Sequence, residues 1–358
     1  MTSPTNKLHE MGQSLWLDNI TREMLDEGTI ERYIEQYSVT GLTSNPSIFD
    51  KAIEGGGSDA AIAAKSADGL EGEDLFFELA IEDLRRAADM FAPVHSSTGG
   101  VDGFVSLEVS PELAYDTEST VAAARDLHAR ADRDNLFIKI PGTAEGLPAI
   151  TETIAAGVPV NVTLLFDAAQ YLAAAEAYMA GIERRLEAGD DPAVTSVASV
   201  FMSRWDKAVA DEVPEHLKNH LALAVGGRTY RAYRELLGSE RWKKLEAAGA
   251  RPQRLLWAST STKDPAAPDT LYVSGLAAPD TVNTMPDVTL EAFHDHGELG
   301  DPMPVDGGDC EAMLAHFEDA GVDTAVLAGR LQSEGAEAFV KSWNALMERI
   351  REQSSAVA

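Results

Sequence analysis

The chain has 358 residues and a formal net charge of −30 at pH 7, because 59 acidic residues outnumber 29 Lys and Arg residues. This charge argues against nucleic acid as a partner, since phosphate backbones bind basic surfaces, and no apolar run is long enough to span a membrane. The amino-terminal residues lack the basic start and apolar core of a secretory signal, and the single cysteine, Cys310, suits the reducing cytoplasm, where we expect the protein.

Short β-prone runs alternate along the chain with longer amphipathic stretches. The runs predicted to be strands are, in chain order, 15–19, 39–45, 103–110, 136–142, 158–166, 193–201, 254–260 and 281–285. Clear helical patterns cover residues 73–91, 119–131, 167–188 and 335–352. Alternating strands and helices predict a parallel sheet with right-handed crossovers, and eight such units predict a closed (β/α)8 TIM barrel.

We expect one barrel domain over residues 1–358, with the strands at about 15–285 and closing helices at about 310–353. The competing architecture is a dinucleotide-binding fold, but no G-x-G-x-x-G turn follows an early strand. The glycine-rich segment 54–58 lacks the lysine and hydroxyl pair of a P-loop and is predicted to be a flexible loop. The loop at about 262–280 is long enough to be a lid or a subfamily insertion.

The predicted fourth strand, LFIKIPG, places Lys139 in the middle of an apolar run. The strands of a parallel barrel are covered on both faces, so this lysine is expected to be buried. Burial favours the neutral amine, which can attack a carbonyl carbon and form a Schiff base. The alternative is a lysine near the strand end whose ammonium group reaches solvent.

Side chains alternate across a strand, so the position of Lys139 predicts which residues share the barrel interior. Phe137 lies on the same face of the strand as Lys139, and the aliphatic residues between and beside them face the helices. The corresponding faces of three other strands carry Trp16 and Asp18; Phe104, Ser106 and Glu108; and Asn161 and Thr163. Their polar members lie toward the carboxyl ends of the strands, where barrel enzymes have their active sites.

Each of these polar residues also has an ordinary structural role open to it. Asp18 could cap the next helix, Asn45 could stabilise an Asn-Pro turn, and Glu108 could pair with a surface arginine. The hydroxyl groups of Thr163 and Ser199 could be satisfied by backbone carbonyl groups. Two carboxylates, an amide and a lysine inside one barrel nevertheless favour a functional site.

Seven motifs along the barrel resemble the transaldolase family. They are WLDN (16–19), GLTSNPSIF (41–49), SLEVSP (106–111), IKIPGT (138–143), NVTLLF (161–166), SVFMSR (199–204) and WASTSTK (257–263). The resemblance implies a Schiff-base aldolase of the non-oxidative pentose phosphate pathway. Such an enzyme moves a dihydroxyacetone unit from sedoheptulose 7-phosphate or fructose 6-phosphate to glyceraldehyde 3-phosphate or erythrose 4-phosphate. It implies sugar phosphates as ligands, no metal or organic cofactor, and a monomer or homodimer.

The resemblance also implies roles for individual residues. Lys139 matches the Schiff-base lysine, and Asp18 matches the carboxylate that takes and returns the proton when the C3–C4 bond of the donor breaks. Glu108 and Thr163 match the pair that holds a catalytic water, with Glu108 as general acid and base. The residues implied to bind the dihydroxyacetone unit are Asn45, Asn161 and Ser199.

The phosphate end of the site is implied only in part. Arg204 matches the phosphate-binding arginine of the family, and a guanidinium group suits phosphate oxygens. The family's second arginine follows an Ala-Ser pair, which is present here as Ala258 and Ser259, but no arginine follows it. We expect Lys263 to supply the second positive charge from a slightly longer loop.

Two other functions are alternatives to transfer. In the related fructose-6-phosphate aldolases, which release free dihydroxyacetone, the resemblance implies a glutamine at position 108 and a tyrosine at position 201. This chain has Glu108 and Phe201, which favours transfer. A non-catalytic sugar-phosphate-binding barrel would be expected to lack the lysine or one of the carboxylates, and none is missing.

Overall fold

The computed structural model describes residues 3–357 and forms a closed barrel of eight parallel strands. Each strand pairs with the next along the chain, and the last closes on the first. The strands are β1 (Ser14–Leu17), β2 (Val39–Thr43), β3 (Val105–Glu108), β4 (Leu136–Pro141), β5 (Val160–Leu165), β6 (Ser196–Phe201), β7 (Gln253–Ala258) and β8 (Val282–Met285). The predicted (β/α)8 fold is confirmed, with a strand at each of the eight predicted positions.

Helices cover the outside of the barrel and continue after β8. Within the described residues they are α1 (Pro4–Glu10), α2 (Arg22–Asp26), α3 (Thr29–Tyr37), α4 (Pro46–Glu54), α5 (Asp59–Ala67), α6 (Gly72–Ser97), α7 (Thr117–Ala131), α8 (Gly146–Ala155), α9 (Ala168–Ala188), α10 (Ser203–Val209), α11 (Leu221–Leu237), α12 (Glu240–Ala247), α13 (Leu271–Gly275), α14 (Asp287–His296), α15 (Cys310–Asp319) and α16 (Thr324–Val357). Over residues 3–357, none of them combines the length and apolarity needed to cross a membrane.

The four helical patterns recognised in the sequence lie within α6, α7, α9 and α16. The bounds of α9 follow from its ends, because Asp167 accepts a hydrogen bond from the Gln170 amide and Gly189 ends the helix in a left-handed conformation. The glycine-rich segment 54–58 connects α4 and α5. Expected closing helices correspond to α15 and α16, whereas the assignment of the whole chain to one domain stays a prediction.

Contacts between strands that are not neighbours identify the interior face of the barrel. The rings of Trp16 on β1 and Phe137 on β4 are 6.0 Å apart, and Phe137 stacks on Phe104 at 4.1 Å. These three residues belong to the faces predicted to point inward. Their rings fill the middle of the barrel. The polar side chains nearer the carboxyl ends of the strands therefore share a space that these rings close on the amino-terminal side.

A buried ion pair closes the amino end of the barrel. Arg254 on β7 donates a hydrogen bond to Ser14 on β1 at 2.5 Å and lies 3.7 Å from Asp102. Asp102 also accepts hydrogen bonds from Ser14 and, at 2.7 Å, from Trp16 Nε1. The charged groups here are held among protein partners, and the open end of the barrel is the opposite one.

The loop between β7 and β8 is attached to the neighbouring helices. It contains α13, whose Tyr272 hydroxyl donates to Asp206 of α10 at 2.8 Å. Earlier in the loop, Asp264 accepts a hydrogen bond from Asn219 at 2.8 Å. This segment, for which a lid or an insertion was expected, is therefore attached to the rest of the protein at two points along its length.

Helix α16 lies across the carboxyl ends of the strands. Its Gln332 donates hydrogen bonds to the carbonyl oxygens of Gly142 and Leu164 at 3.0 and 2.9 Å. Further along the helix, Ser342 shares a hydrogen bond of 2.9 Å with Ser47, at the start of α4. The C-terminal helix thus covers part of the barrel mouth.

Candidate active site

A cavity of about 220 Å³ opens at the carboxyl ends of the strands. Its lining includes nine of the residues expected at the site: Asp18, Asn45, Lys139, Thr163, Ser199, Phe201, Arg204, Ser259 and Lys263. The other two, Glu108 and Asn161, are hydrogen-bonded to lining residues. All eleven residues are therefore brought together, although their chemical roles stay predictions.

Lys139 is 5 % exposed, so its amino group does not reach bulk solvent. Its Nζ lies 3.1 Å from Glu108 Oε2 and donates to the carbonyl oxygen of Ser44 at 3.0 Å. The β3–β4 register sets Glu108 directly beside Lys139. Burial raises the pKa of Glu108, and the charge and hydrogen bond of Lys139 oppose that rise. The carboxyl group and the amino group are therefore in the direct contact that a proton transfer between them requires.

Asp18 follows β1 and faces the same cavity. Burial raises its pKa, and the charge of Lys139 and a hydrogen bond from Thr43 partly offset that increase. The Thr43 hydroxyl lies 2.8 Å from Asp18 Oδ1 and 2.7 Å from the hydroxyl of Thr284. The residue that caps the next helix is Thr21, so Asp18 is not used as a cap.

Thr163 on β5 has a free hydroxyl group at the cavity. Its side chain is completely buried, and its Oγ1 has no hydrogen-bond partner within the described part of the chain. The next residue, Leu164, has a φ of +58°, and the pairing of β5 with β6 is irregular between Val162 and Leu165. Such irregularities redirect side chains near active sites. The hydroxyl is thus available to a water molecule or a substrate.

The two amide side chains have different surroundings. Asn45 lines the cavity and also accepts a hydrogen bond from the Ile48 amide at 3.2 Å, so it caps α4 as well. Asn161 is completely buried, accepts from Ser199 at 2.7 Å and donates to Ser106 at 3.2 Å. The Ser199 hydroxyl thus bonds to a side chain and not to a backbone carbonyl group, which was the alternative expected for it.

Positive groups line the other side of the cavity. Arg204 is the second residue of α10, and its Cζ is 4.9 Å from the ring centre of Phe201. Within residues 3–357 it forms no ion pair, and burial lowers its pKa, an effect that the charge of Glu334 opposes. Lys263 lines the cavity but is exposed overall, and partial desolvation of its amino group lowers its pKa, with the charges of Lys207 and Arg204 adding to the effect. In a chain of net charge −30, unpaired cations facing a cavity are suited to an anion.

Backbone geometry brings Ser259 to this cationic side. Ser259 has a φ of +55° directly after β7. Its carbonyl oxygen accepts a hydrogen bond from the Ser203 amide at 3.0 Å, and the two hydroxyl groups are 2.9 Å apart. This contact joins the end of β7 to the start of the helix that carries Arg204.

Several lining or contacting groups were not expected from the sequence, among them Thr43, the Ser44 carbonyl, Thr284 and Phe339. The signal for Thr43 and the Ser44 carbonyl lies inside the LTSNPS motif, and strand parity on β8 could have identified Thr284. Phe339 comes from α16, and nothing local in the sequence indicates that this helix reaches the site. Among residues 3–357, no three His, Cys, Asp or Glu side chains are grouped as a metal ion requires.

A buried lysine beside a carboxyl group, at the carboxyl end of a (β/α)8 barrel, defines a candidate lysine-dependent enzyme that forms Schiff bases with carbonyl substrates. A family model described as Transaldolase/Fructose-6-phosphate aldolase matches residues 15–350. The chain therefore belongs to the transaldolase/fructose-6-phosphate aldolase family, and the resemblance seen in the motifs is confirmed.

Several curated relatives match over almost their whole length. A transaldolase of a Parafrankia species is 46% identical over 100% of both chains. A transaldolase of Thermobifida fusca is also 46% identical, over 99% of this chain and 100% of the relative. A Streptomyces coelicolor protein named transaldolase 2 is 42% identical, over 97% of this chain and 96% of the relative.

Proposed function

We propose that the protein is a transaldolase, which transfers a dihydroxyacetone unit from a ketose phosphate to an aldose phosphate. The observation that carries the proposal is the buried Lys139 amino group, 3.1 Å from Glu108 Oε2, in a cavity shared with Asp18 and Thr163. The name transaldolase, borne by relatives with 41% to 46% identity to this chain, supports it.

The first stage would attach the donor to the enzyme. Glu108 contacts the Lys139 amino group and would act as its proton-transfer partner, with the neutral amine as the nucleophile. The amine would attack the C2 carbonyl of the ketose, and Glu108 would protonate the departing hydroxyl group as water. Thr163, whose hydroxyl has no partner within the described residues, would hold that water.

The second stage would exchange one aldehyde for another. Asp18 would take the proton of the C4 hydroxyl group, so that the C3–C4 bond breaks and the dihydroxyacetone unit remains on Lys139 as an enamine. The enamine carbon would then attack the acceptor aldehyde, and Asp18 would return the proton to the new hydroxyl oxygen. A carboxyl group with a pKa raised by burial suits both proton transfers. Hydrolysis of the Schiff base would release the product.

The phosphate group of each sugar would bind at the cationic side of the cavity. Arg204 and Lys263 supply positive charge there, and the Ser259 hydroxyl adds a hydrogen-bond donor. These contacts would overcome the repulsion between the negative chain and a negative substrate. The cytoplasmic location and a monomeric or dimeric state stay predictions.

Borohydride reduction tests the proposal directly. Protein incubated with fructose 6-phosphate and borohydride should carry a reduced dihydroxyacetone adduct on the peptide that contains Lys139, detected by mass spectrometry. Lys139→Met, a side chain of similar length, should give no adduct while circular dichroism shows an intact fold.

The acceptor then separates transfer from simple cleavage. Erythrose 4-phosphate added before the borohydride should discharge the unreduced intermediate, produce sedoheptulose 7-phosphate and lower the yield of reduced adduct. Rapid formation of free dihydroxyacetone without an acceptor would indicate an aldolase instead. Absence of any adduct in the unmodified protein would contradict both activities.

A further inference from the structure

Helix α16 places one aromatic side chain, Phe339, against both ends of the candidate site. The centre of its ring is 6.0 Å from Lys139 Nζ and 5.9 Å from Arg204 Cζ, and 6.3 Å from the ring centre of Phe201. The ring also lines the cavity. It therefore forms an apolar wall that reaches from the reactive amine to the cationic side.

The helix that carries Phe339 is held at the mouth of the barrel on either side of this residue. Gln332, two turns before it, is bonded to the carbonyl oxygens of Gly142 and Leu164, and Ser342, three residues after it, is bonded to Ser47. Two attachments that bracket Phe339 fix the position of its ring over the cavity.

Gly335 lets α16 approach this closely. A side-chain carbon at this position would lie 2.9 Å from a Leu164 methyl group and 3.0 Å from Arg204 Nη1. Glycine inside a helix is less favourable than alanine, so its presence here is explained by close packing. One turn later along the same face, Phe339 is brought down against the cavity.

The chemistry of an enamine gives such a wall a function. After the first aldehyde leaves, its part of the cavity is vacant until the acceptor arrives. Water entering there can protonate the enamine carbon. Addition of a second water to C2 and cleavage of the C2–nitrogen bond then release dihydroxyacetone and return the Lys139 amine. In transfer, the same carbon instead forms a bond to the acceptor carbonyl carbon.

We propose that Phe339 is a specificity-determining residue that keeps bulk water from the aldehyde side of the enamine, so that the enzyme transfers its dihydroxyacetone unit rather than releasing it. This inference rests on the proposed function. The apolar ring excludes water from the space beside Lys139 and Arg204, whereas the water needed for Schiff-base hydrolysis is expected at Glu108 and Thr163.

The test measures the ratio of released to transferred dihydroxyacetone, with fructose 6-phosphate as donor and erythrose 4-phosphate as acceptor. Phe339→Ala should raise this ratio roughly tenfold, because water exclusion protects a reactive intermediate. Phe339→Gln, which fills a similar length but binds water, should also raise it, and Phe339→Leu should leave it low. The matched control is Val340→Ala, on the same helix but outside the cavity lining.

Borohydride trapping at Lys139 is run on every variant. An unmodified protein that gives no adduct would contradict the proposed function itself. Variants that trap normally but keep the ratio of the unmodified protein would overturn the role of Phe339. The same holds if Phe339→Ala lowers release and transfer by equal factors, since that result indicates a purely structural contribution.

Discussion

Asp18 and Glu108 are two carboxyl groups with raised pKa values in one site, and their neighbours separate their tasks. Glu108 contacts the Lys139 amino group directly, which suits it to the proton exchange proposed with that amine. Asp18 instead receives a hydrogen bond from Thr43, which is in turn bonded to Thr284. The hydroxyl pair keeps Asp18 oriented and favours its ionised form.

Replacing Thr43 with valine should make Asp18 a weaker base. The lost hydrogen bond stabilised the carboxylate, so the pKa of Asp18 should rise further, and less of it is ionised at low pH. We expect kcat/KM to fall by about fivefold on the acidic limb of its pH profile, the equivalent of one hydrogen bond, with recovery as pH increases.

The pH profile of kcat/KM provides the measurement. Thr43→Ser, which keeps the hydroxyl, should restore the profile of the unmodified protein. Thr229→Val is the matched control, because this buried threonine is bonded only within α11, to Val225. An acidic limb that stays in place in Thr43→Val would show that the hydroxyl does not influence the proton-transfer group.

The residues of this site differ in how much of their arrangement could be predicted from the sequence. Lys139 was visible because a charged residue interrupts an apolar strand, and period-two alternation linked it to Glu108 and Asp18. The bond between Thr43 and Thr284 was not visible, because it requires β8 to close beside β1 and both side chains to reach the same height in the barrel. Local alternation predicts on which face of its strand a residue lies. The position of that residue along the barrel axis depends instead on how all the strands are shifted relative to one another.

At the scale of elements, β5 and α16 depend on one another. Leu164 adopts a left-handed conformation, which costs a residue other than glycine about 1–2 kcal/mol. Its carbonyl oxygen accepts a hydrogen bond from Gln332 of α16 at 2.9 Å. The helix thus stabilises the irregular segment that directs the Thr163 hydroxyl toward the cavity.

Gln332→Ala should therefore impair catalysis as well as stability. Two hydrogen bonds to backbone carbonyl groups are lost, and the free energy of unfolding should decrease by about 1–2 kcal/mol. We expect kcat to fall by roughly tenfold with little change in KM, because Thr163 is proposed to act on the reacting centre. Chemical denaturation and steady-state kinetics measure the two effects.

Gln353→Ala is a control on the same helix. Gln353 donates a hydrogen bond to the Ile53 carbonyl oxygen at 3.2 Å, far along α16 from the cavity lining. This variant should lose a comparable part of its stability and retain kcat. Equal kcat values for both glutamine variants would mean that α16 does not position Thr163.

The sequence predicted the existence of α16 better than its place. Its periodic pattern was recognised over residues 335–352, but the helix begins at Thr324, so Gln332 lay outside the predicted element. A helical pattern predicts an apolar face without indicating which surface that face covers. The contribution of Phe339 to the site therefore required the tertiary structure.

At the scale of the whole molecule, a strongly negative chain surrounds a positive site entrance. Arg204 and Lys263 line the cavity, and two exposed lysines lie one helical turn beyond lining residues: Lys207 after Arg204 on α10, and Lys51 after Ser47 on α4. Within the described residues, none of these four cations forms an ion pair with an acidic side chain. Lys207 and Lys51 both contribute to the lowered pKa of Lys263, consistent with one continuous cationic region.

Lys51 and Lys207 are expected to attract anionic substrates before they bind. The double variant Lys51→Gln/Lys207→Gln should lower kcat/KM for fructose 6-phosphate by roughly threefold at low ionic strength, since each charge acts through solvent rather than by direct contact. The difference should largely disappear near 0.5 M salt, where the screening length is only about 4–5 Å. Because the effect operates on approach, kcat should not change, and unphosphorylated fructose should react equally with both proteins.

The control is Lys244→Gln. Lys244 is an exposed lysine on α12 that forms no ion pair within the described residues, and its replacement removes one positive charge away from the entrance. This variant should have no effect beyond the change in net charge. A loss that persists at high salt, or that extends to unphosphorylated fructose, would contradict electrostatic attraction at the entrance.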